Sequence, residues 1–158
     1  MLQIQTHMEL KGRHTVNAIP STLWTMLMDT DILSKIIPGV SKLEKTGENS
    51  YKSTLELQLG PFSASFAGDV QMEDITDQKR FTLKMQQSGK VGNATLTMKI
   101  ELIPANGTET EVVFDGEVNI TGLISSMGNG VLSTAANVLT KQFFVKLDHE
   151  LAKQQAGQ

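Results

Sequence analysis

Chemistry in this chain would have to be built from few residues: three histidines, His7, His14 and His149, scattered serines and carboxylates, and no cysteine. The absence of cysteine removes disulfides, thiolate catalysis, zinc ribbons and iron–sulfur ligation together. His7 and His149 fall at polar positions far apart in the pattern, so the histidines make no metal-ligand spacing and no metal is expected. The serines do not sit in a nucleophile elbow. The glycines of Gly122 to Gly130 (GLISSMGNG) neither follow a phosphate-loop spacing nor end in Lys-Ser/Thr. Asp29 and Asp31 read as a helix end and a helix cap respectively. What remains is His14 on the inward side of the first strand and Gln87 on the inward side of a later one, with no charged residue beside them in the pattern. That is too little for acid–base machinery. His14 is either a satisfied core or rim histidine or a group that touches a ligand or moves a proton.

The elements that position these residues follow from periodicity. From Leu2 to Val16 the even positions Leu2, Ile4, Thr6, Met8, Leu10, Gly12, His14 and Val16 alternate with Gln3, Gln5, His7, Glu9, Lys11, Arg13 and Thr15, the mark of a half-buried strand. Pro20 opens a short helix carrying Leu23, Trp24 and Leu27, a second short turn runs through Ile36, and Pro38-Gly39 ends the pair. Strand follows strand from there. Their inward sets are Tyr51, Leu55, Leu57 and Leu59; Phe62, Ala64, Phe66, Gly68, Val70 and Met72; Phe81, Leu83, Met85 and Gln87. Ala94, Leu96, Met98, Ile100 and Leu102 come next, then Val112, Phe114, Gly116, Val118 and Ile120. Short turns between them, at Gly60-Pro61, Gly92-Asn93 and Pro104 to Gly107, predict an antiparallel meander with one wet face. After Gly122 the period changes to about three and a half. Ile124, Met127, Val131, Ala135, Val138 or Leu139, Phe143, Leu147 and Leu151 then form the apolar stripe of one long helix that must lie on the sheet. The fold class is α+β, with residues 1–151 as a single domain and 152–158 as a polar tail expected to fray.

Gly12, Gly68 and Gly116 stand on the inward face where bulky residues should pack. Each can mark a bend that curls the sheet. Together they can also hollow it beneath the helix, leaving a cavity lined by Phe66, Met85, Leu96, Met98, Phe114, Met127, Val131, Leu132 and Ala135. Methionine adapts to irregular shapes, so such a wall would accept a large, flexible apolar ligand, unless the same side chains simply fill the core. Trp24, the only tryptophan, is either core packing or a gate at the mouth of that cavity. Phe144, about 100° off the stripe and flanked by lysines, either broadens the buried face or docks on a partner or membrane interface.

Composition sets outer bounds. The 158 residues suit one domain that buries about 70% of its unfolded surface. The formal net charge of -3 argues against a phosphate-backbone binder, so nucleic acid is not an expected partner. No basic leader followed by an apolar run opens the chain and no 18-residue apolar stretch occurs, which predicts a soluble, unexported protein, cytoplasmic in its cysteine usage.

The order of elements resembles the helix-grip (START-like) fold of the START and birch-pollen-allergen (SRPBCC) superfamily, in which a curved antiparallel sheet, here of about seven strands, wraps a long C-terminal helix. Within it the chain is similar to the CoxG family of carbon monoxide dehydrogenase subunits. The residues that carry the similarity are Met8-Glu9-Leu10-Lys11-Gly12, Asp31-Ile32-Leu33 leading into Ile36-Ile37-Pro38-Gly39-Val40, and Gly60-Pro61-Phe62 followed by Phe66-Ala67-Gly68. Lys141-Gln142-Phe143-Phe144 in the last helix adds to them. Ile36 stands where the family often has a cysteine, so a role of that thiol does not transfer. The resemblance implies a non-catalytic accessory protein of a carbon monoxide dehydrogenase-type molybdenum hydroxylase, concerned with its maturation, membrane recruitment or coupling to a lipophilic electron acceptor. Residues for flavin, molybdopterin or iron–sulfur binding are missing, so no cofactor is expected. The expected ligand is a hydrophobic, quinone- or lipid-like small molecule, with peripheral contact at the inner face of the membrane as a further expectation. Two other readings stay open, a chaperone-like adaptor with a filled core and a polyketide-cyclase-like enzyme, because fold alone does not fix function.

Overall fold

A computed structural model describes residues 5–59 and 62–156. The chain runs β1 (Gln5–Val16), α1 (Pro20–Leu27), α2 (Thr30–Ile36), β2 (Val40–Gly47), β3 (Ser50–Leu59), β4 (Phe62–Thr76), β5 (Arg80–Gly89), β6 (Gly92–Ala105) and β7 (Glu109–Thr121). A short 3-10 turn (Leu123–Met127) then leads into α3 (Asn129–Ala156). The seven strands form one antiparallel sheet in the order β1-β7-β6-β5-β4-β3-β2. Every neighbour is therefore next in sequence except β1, which closes the meander by pairing with β7 from Gln5↔Thr121 to Val16↔Thr110. This is the helix-grip arrangement that the alternation and the resemblance led us to expect. Leu2, Ile4 and the Gly60-Pro61 turn lie outside the described residues.

Local chemistry explains the short elements. Pro20 at the first helical position of α1 lacks the amide hydrogen that would be unsatisfied there anyway. The cap of α2 is Asp29, not Asp31: its carboxylate accepts from the amides of Asp31 and Ile32. Asp31 is instead the acidic residue of the first turn, favourable against the helix dipole. Between β1 and α1 the fully buried Thr110 donates its hydroxyl hydrogen to the Ala18 carbonyl at 2.7 Å, which ties the loop to β7.

The apolar core has two parts. One gathers α1, α2 and the end of α3, with Leu23, Ile36, Val16 and Leu147 almost wholly buried. The other gathers Met8, Leu55, Leu59, Phe66, Ile120, Ile124 and Leu132. The stripe expected on the long helix shifts register. Gly128, at φ +88, breaks the chain between the 3-10 turn and α3, a conformation that costs a glycine little. A stripe counted continuously from Ile124 and Met127 therefore loses phase there. Leu132 is buried, whereas Val131 and Val138 are 41% and 48% exposed. Residues 152–156, expected to fray, continue the helix, and Gln155 donates a side-chain N–H to the Asn17 carbonyl at 3.1 Å.

Candidate functional site

Between the concave face of the sheet and α3 lies a cavity of about 330 Å³. Alternation in the strands decides its wall, because successive side chains point to opposite faces. β3 contributes Leu55, Leu57 and Leu59, β5 and β6 contribute Leu83, Met85, Leu96 and Met98, and β7 contributes Phe114 and Val118. α2 and the chain after it close one side with Leu33, Ile37 and Pro38. α3 covers the other with Leu132, Ala135, Ala136, Leu139 and Phe143. The wall draws on both parts of the core. Ala135 and Ala136 on α3 and Ala94 on β6 are small residues on this wall.

No charged residue lines the cavity among those described. Charges sit on the outer face, where the Glu73 carboxylate, 2.9 Å away, holds the Lys84 ammonium above its ordinary pKa by hydrogen bond and charge. Lys42 and Glu44 pair in the same way, with Lys42 raised and Glu44 lowered, each chiefly through their mutual hydrogen bond. Of the polar residues along the wall, Thr140 donates its hydroxyl hydrogen to the Ala136 carbonyl within its own helix, at 2.8 Å. Gln87 is 5% exposed and donates from Nε2 to Ser53 Oγ at 3.0 Å.

Residues 12–152 match the family model of CoxG, described as a carbon monoxide dehydrogenase subunit. The chain belongs to this family. No curated protein sequence matches it. Among solved structures, a conserved protein from Geobacillus kaustophilus is 27% identical, with a TM-score of 0.88 over 92% of this chain and 96% of that one. A START superfamily protein from Mycobacterium smegmatis, 10% identical, gives 0.69 over 94% and 99%. The Zhui aromatase/cyclase from Streptomyces sp. R1128, also 10% identical, gives 0.72 over 94% and 96%. The last two likenesses establish the START-like fold of this CoxG protein and nothing of its chemistry.

Of the residues that the sequence nominated, the CoxG fold brings Phe66, Met85, Leu96, Met98, Phe114, Leu132 and Ala135 together on the cavity wall. Four others lie elsewhere. Val131 is turned to solvent by the phase break at Gly128. Met127 packs, half-buried, against the part of the core around Ile124 and Leu132 without reaching the wall. Trp24 is 7% exposed, with its ring edge-on to Phe81 at 5.8 Å, so it is core packing behind a wall residue and not a gate. His14 leans on α3: it stacks on Phe144 at 4.4 Å, and its Nε2 lies 3.1 Å from Asp148 Oδ2. Phe144 is itself 8% exposed and broadens the buried face of the helix. His7 is on the outer face, beside Asn119 and Glu117.

The inward glycines do not hollow the sheet. A Cβ at Gly12 would meet the tip of the Phe114 ring at 2.6 Å, and one at Gly116 would strike the Thr97 carbonyl and the Met98 backbone. At Gly68 it would strike the Gln86 carbonyl. None of the three lines the cavity. They are places where neighbouring strands or a ring come too close for a side chain, which is how a sheet curls. Ser53 belongs to the same inward face. The alternation that placed Tyr51 and Leu55 inward also places Ser53 there, so the signal was present and outweighed by the leucines.

Proposed function

We propose that this CoxG-family protein is a non-catalytic accessory protein that holds a hydrophobic, quinone- or lipid-like molecule between its sheet and α3. The observation that carries this reading is the cavity itself. Its 330 Å³ falls within the range of small-molecule sites, and its wall is aliphatic, aromatic and methionine-rich. Phe66, Met85, Leu96, Met98, Phe114, Leu132 and Ala135 are the proposed contacts among the residues nominated from sequence. Membership in a family described as a subunit of carbon monoxide dehydrogenase supports a molybdenum hydroxylase of that type as partner. A carrier of such cargo must meet a bilayer to load or unload, so peripheral membrane contact belongs to the proposal. No helix among the described residues is long and apolar enough to cross a membrane. We place the mouth between the α1–α2 pair and the segment from Gly122 to Gly130, where Ile124 joins the wall.

Catalysis of the cyclase kind would call for a second polar group converging with His14 inside the cavity. His14 pairs with Asp148 instead, with both side chains over one-third exposed.

The test uses Trp24 as reporter, because it is the only tryptophan and touches the wall residue Phe81. Titration with a short-chain quinone is expected to quench its emission saturably at one equivalent. A response that stays linear with quinone, together with failure of long-chain alcohols and fatty acids to displace a fluorescent apolar probe, would remove the carrier reading in favour of the adaptor.

A further inference from the structure

One residue of the cavity wall, Gln87, carries a buried oxygen whose chemistry is unspent. Gln87 Oε1 is buried and has no hydrogen-bond partner among the described residues. The same amide donates from Nε2 to Ser53 Oγ, and Ser53 is also 5% exposed. The two residues belong to strands that are not neighbours. Ser53 on β3 stands opposite Gly68 on β4, and Gly68 stands opposite Gln87 on β5. Their side chains therefore meet across the one intervening position, and it has no side chain to separate them. Gly68 leaves room for the bridge, the bridge holds the amide, and the amide oxygen is left over just beneath an apolar wall. A buried acceptor left without a donor is costly, so the apo protein carries a penalty that the right ligand removes.

We infer that Ser53 and Gln87 form a polar anchor that selects apolar ligands bearing a hydrogen-bond donor, a hydroxyl above all, over ligands that offer only acceptors. The inference rests on the carrier reading and names the head group of its cargo. A long-chain alcohol, a phenol or a protonated fatty acid presents the O–H that Oε1 can accept. An ether, ester or ketone presents nothing to it. Among quinone-type molecules, the hydroquinone has two hydrogens to offer Oε1 and the quinone has none. The rest of the ligand meets mainly aliphatic, aromatic and methionine side chains and is recognised by bulk. One neutral hydrogen bond in a dry site gives selectivity between head groups while leaving the body of the ligand variable.

The experiment compares decanol with decyl methyl ether by calorimetric titration of the intact protein, and repeats it with the paired variant Ser53→Ala, Gln87→Met. Replacing both partners leaves no orphaned polar group, and methionine keeps the length of the glutamine. Wild type is expected to bind the alcohol about tenfold more tightly than the ether, the equivalent of one hydrogen bond at about 1.4 kcal/mol. In the variant the ratio is expected to fall to about one, with affinity for the ether unchanged. Equal binding of the two by wild type, tighter binding of the ether, or a preference that persists in the variant would each overturn the anchor while leaving the carrier intact. The wild-type comparison stands even if the variant fails to fold. Failure of both ligands to bind wild type would overturn the carrier reading and the anchor with it.

Discussion

Ala136→Phe is expected to abolish binding of an apolar ligand while leaving the fold intact. Ala136 faces the cavity from α3 and is half-buried there, so a phenyl ring projected from it enters open space and not a packed neighbour. Overfilling a well-packed core costs about 1–3 kcal/mol, but filling a void recovers contacts that the void forfeits. The expected outcome is a loss of at least about 100-fold in affinity, close to 2.7 kcal/mol, with a melting temperature equal to or above that of wild type. Quinone titration read at Trp24, with a thermal melt in parallel, checks both halves. Unchanged affinity in a folded Ala136→Phe protein would place the ligand elsewhere.

Gly68→Ala is expected to destabilise by about 3 kcal/mol or more, at the upper end of overpacking effects, because the clash is with backbone. The new methyl group would run into the Gln86 carbonyl and the Gln87 Cα, neither of which can rotate aside. Gly130→Ala is the matched control. Nothing lies within 4 Å of a Cβ there, and the residue is helical, so the change is expected to be neutral or stabilising by up to about 1 kcal/mol. Urea denaturation of both variants separates a glycine needed for close approach from one that is not. Equal stability of the two would contradict the strand contact at Gly68.

Strand faces were legible from sequence because a period of two leaves no ambiguity once one residue is placed. Thus Met8, Phe66, Met98 and Phe114 face inward as their patterns require. The helix was harder. Val131 and Leu132 both fit a stripe, and only the break at Gly128 decides between them. The inward glycines were visible, but an empty position in a pattern does not say whether space or a neighbour fills it. At Gly12 the neighbour is Phe114, its own partner across the β1–β7 ladder. The alanines Ala94, Ala135 and Ala136 do line the cavity, where none of the three glycines does. Asp31 reads as the cap from sequence, but the backbone places Asp29 in the extended conformation that a cap requires. The bridge from Ser53 to Gln87 lay beyond reach, since it needs the pairing register of three strands at once.

Whether the space between sheet and helix binds an apolar molecule is decided by native mass spectrometry of the protein isolated gently from its own host, followed by mass analysis of what denaturation releases. A carrier is expected to show a population with one apolar molecule per chain, lost on denaturation and absent from Ala136→Phe. Bare chain mass in both proteins, unchanged after incubation with quinones, hydroquinones and long-chain alcohols, would contradict the carrier reading.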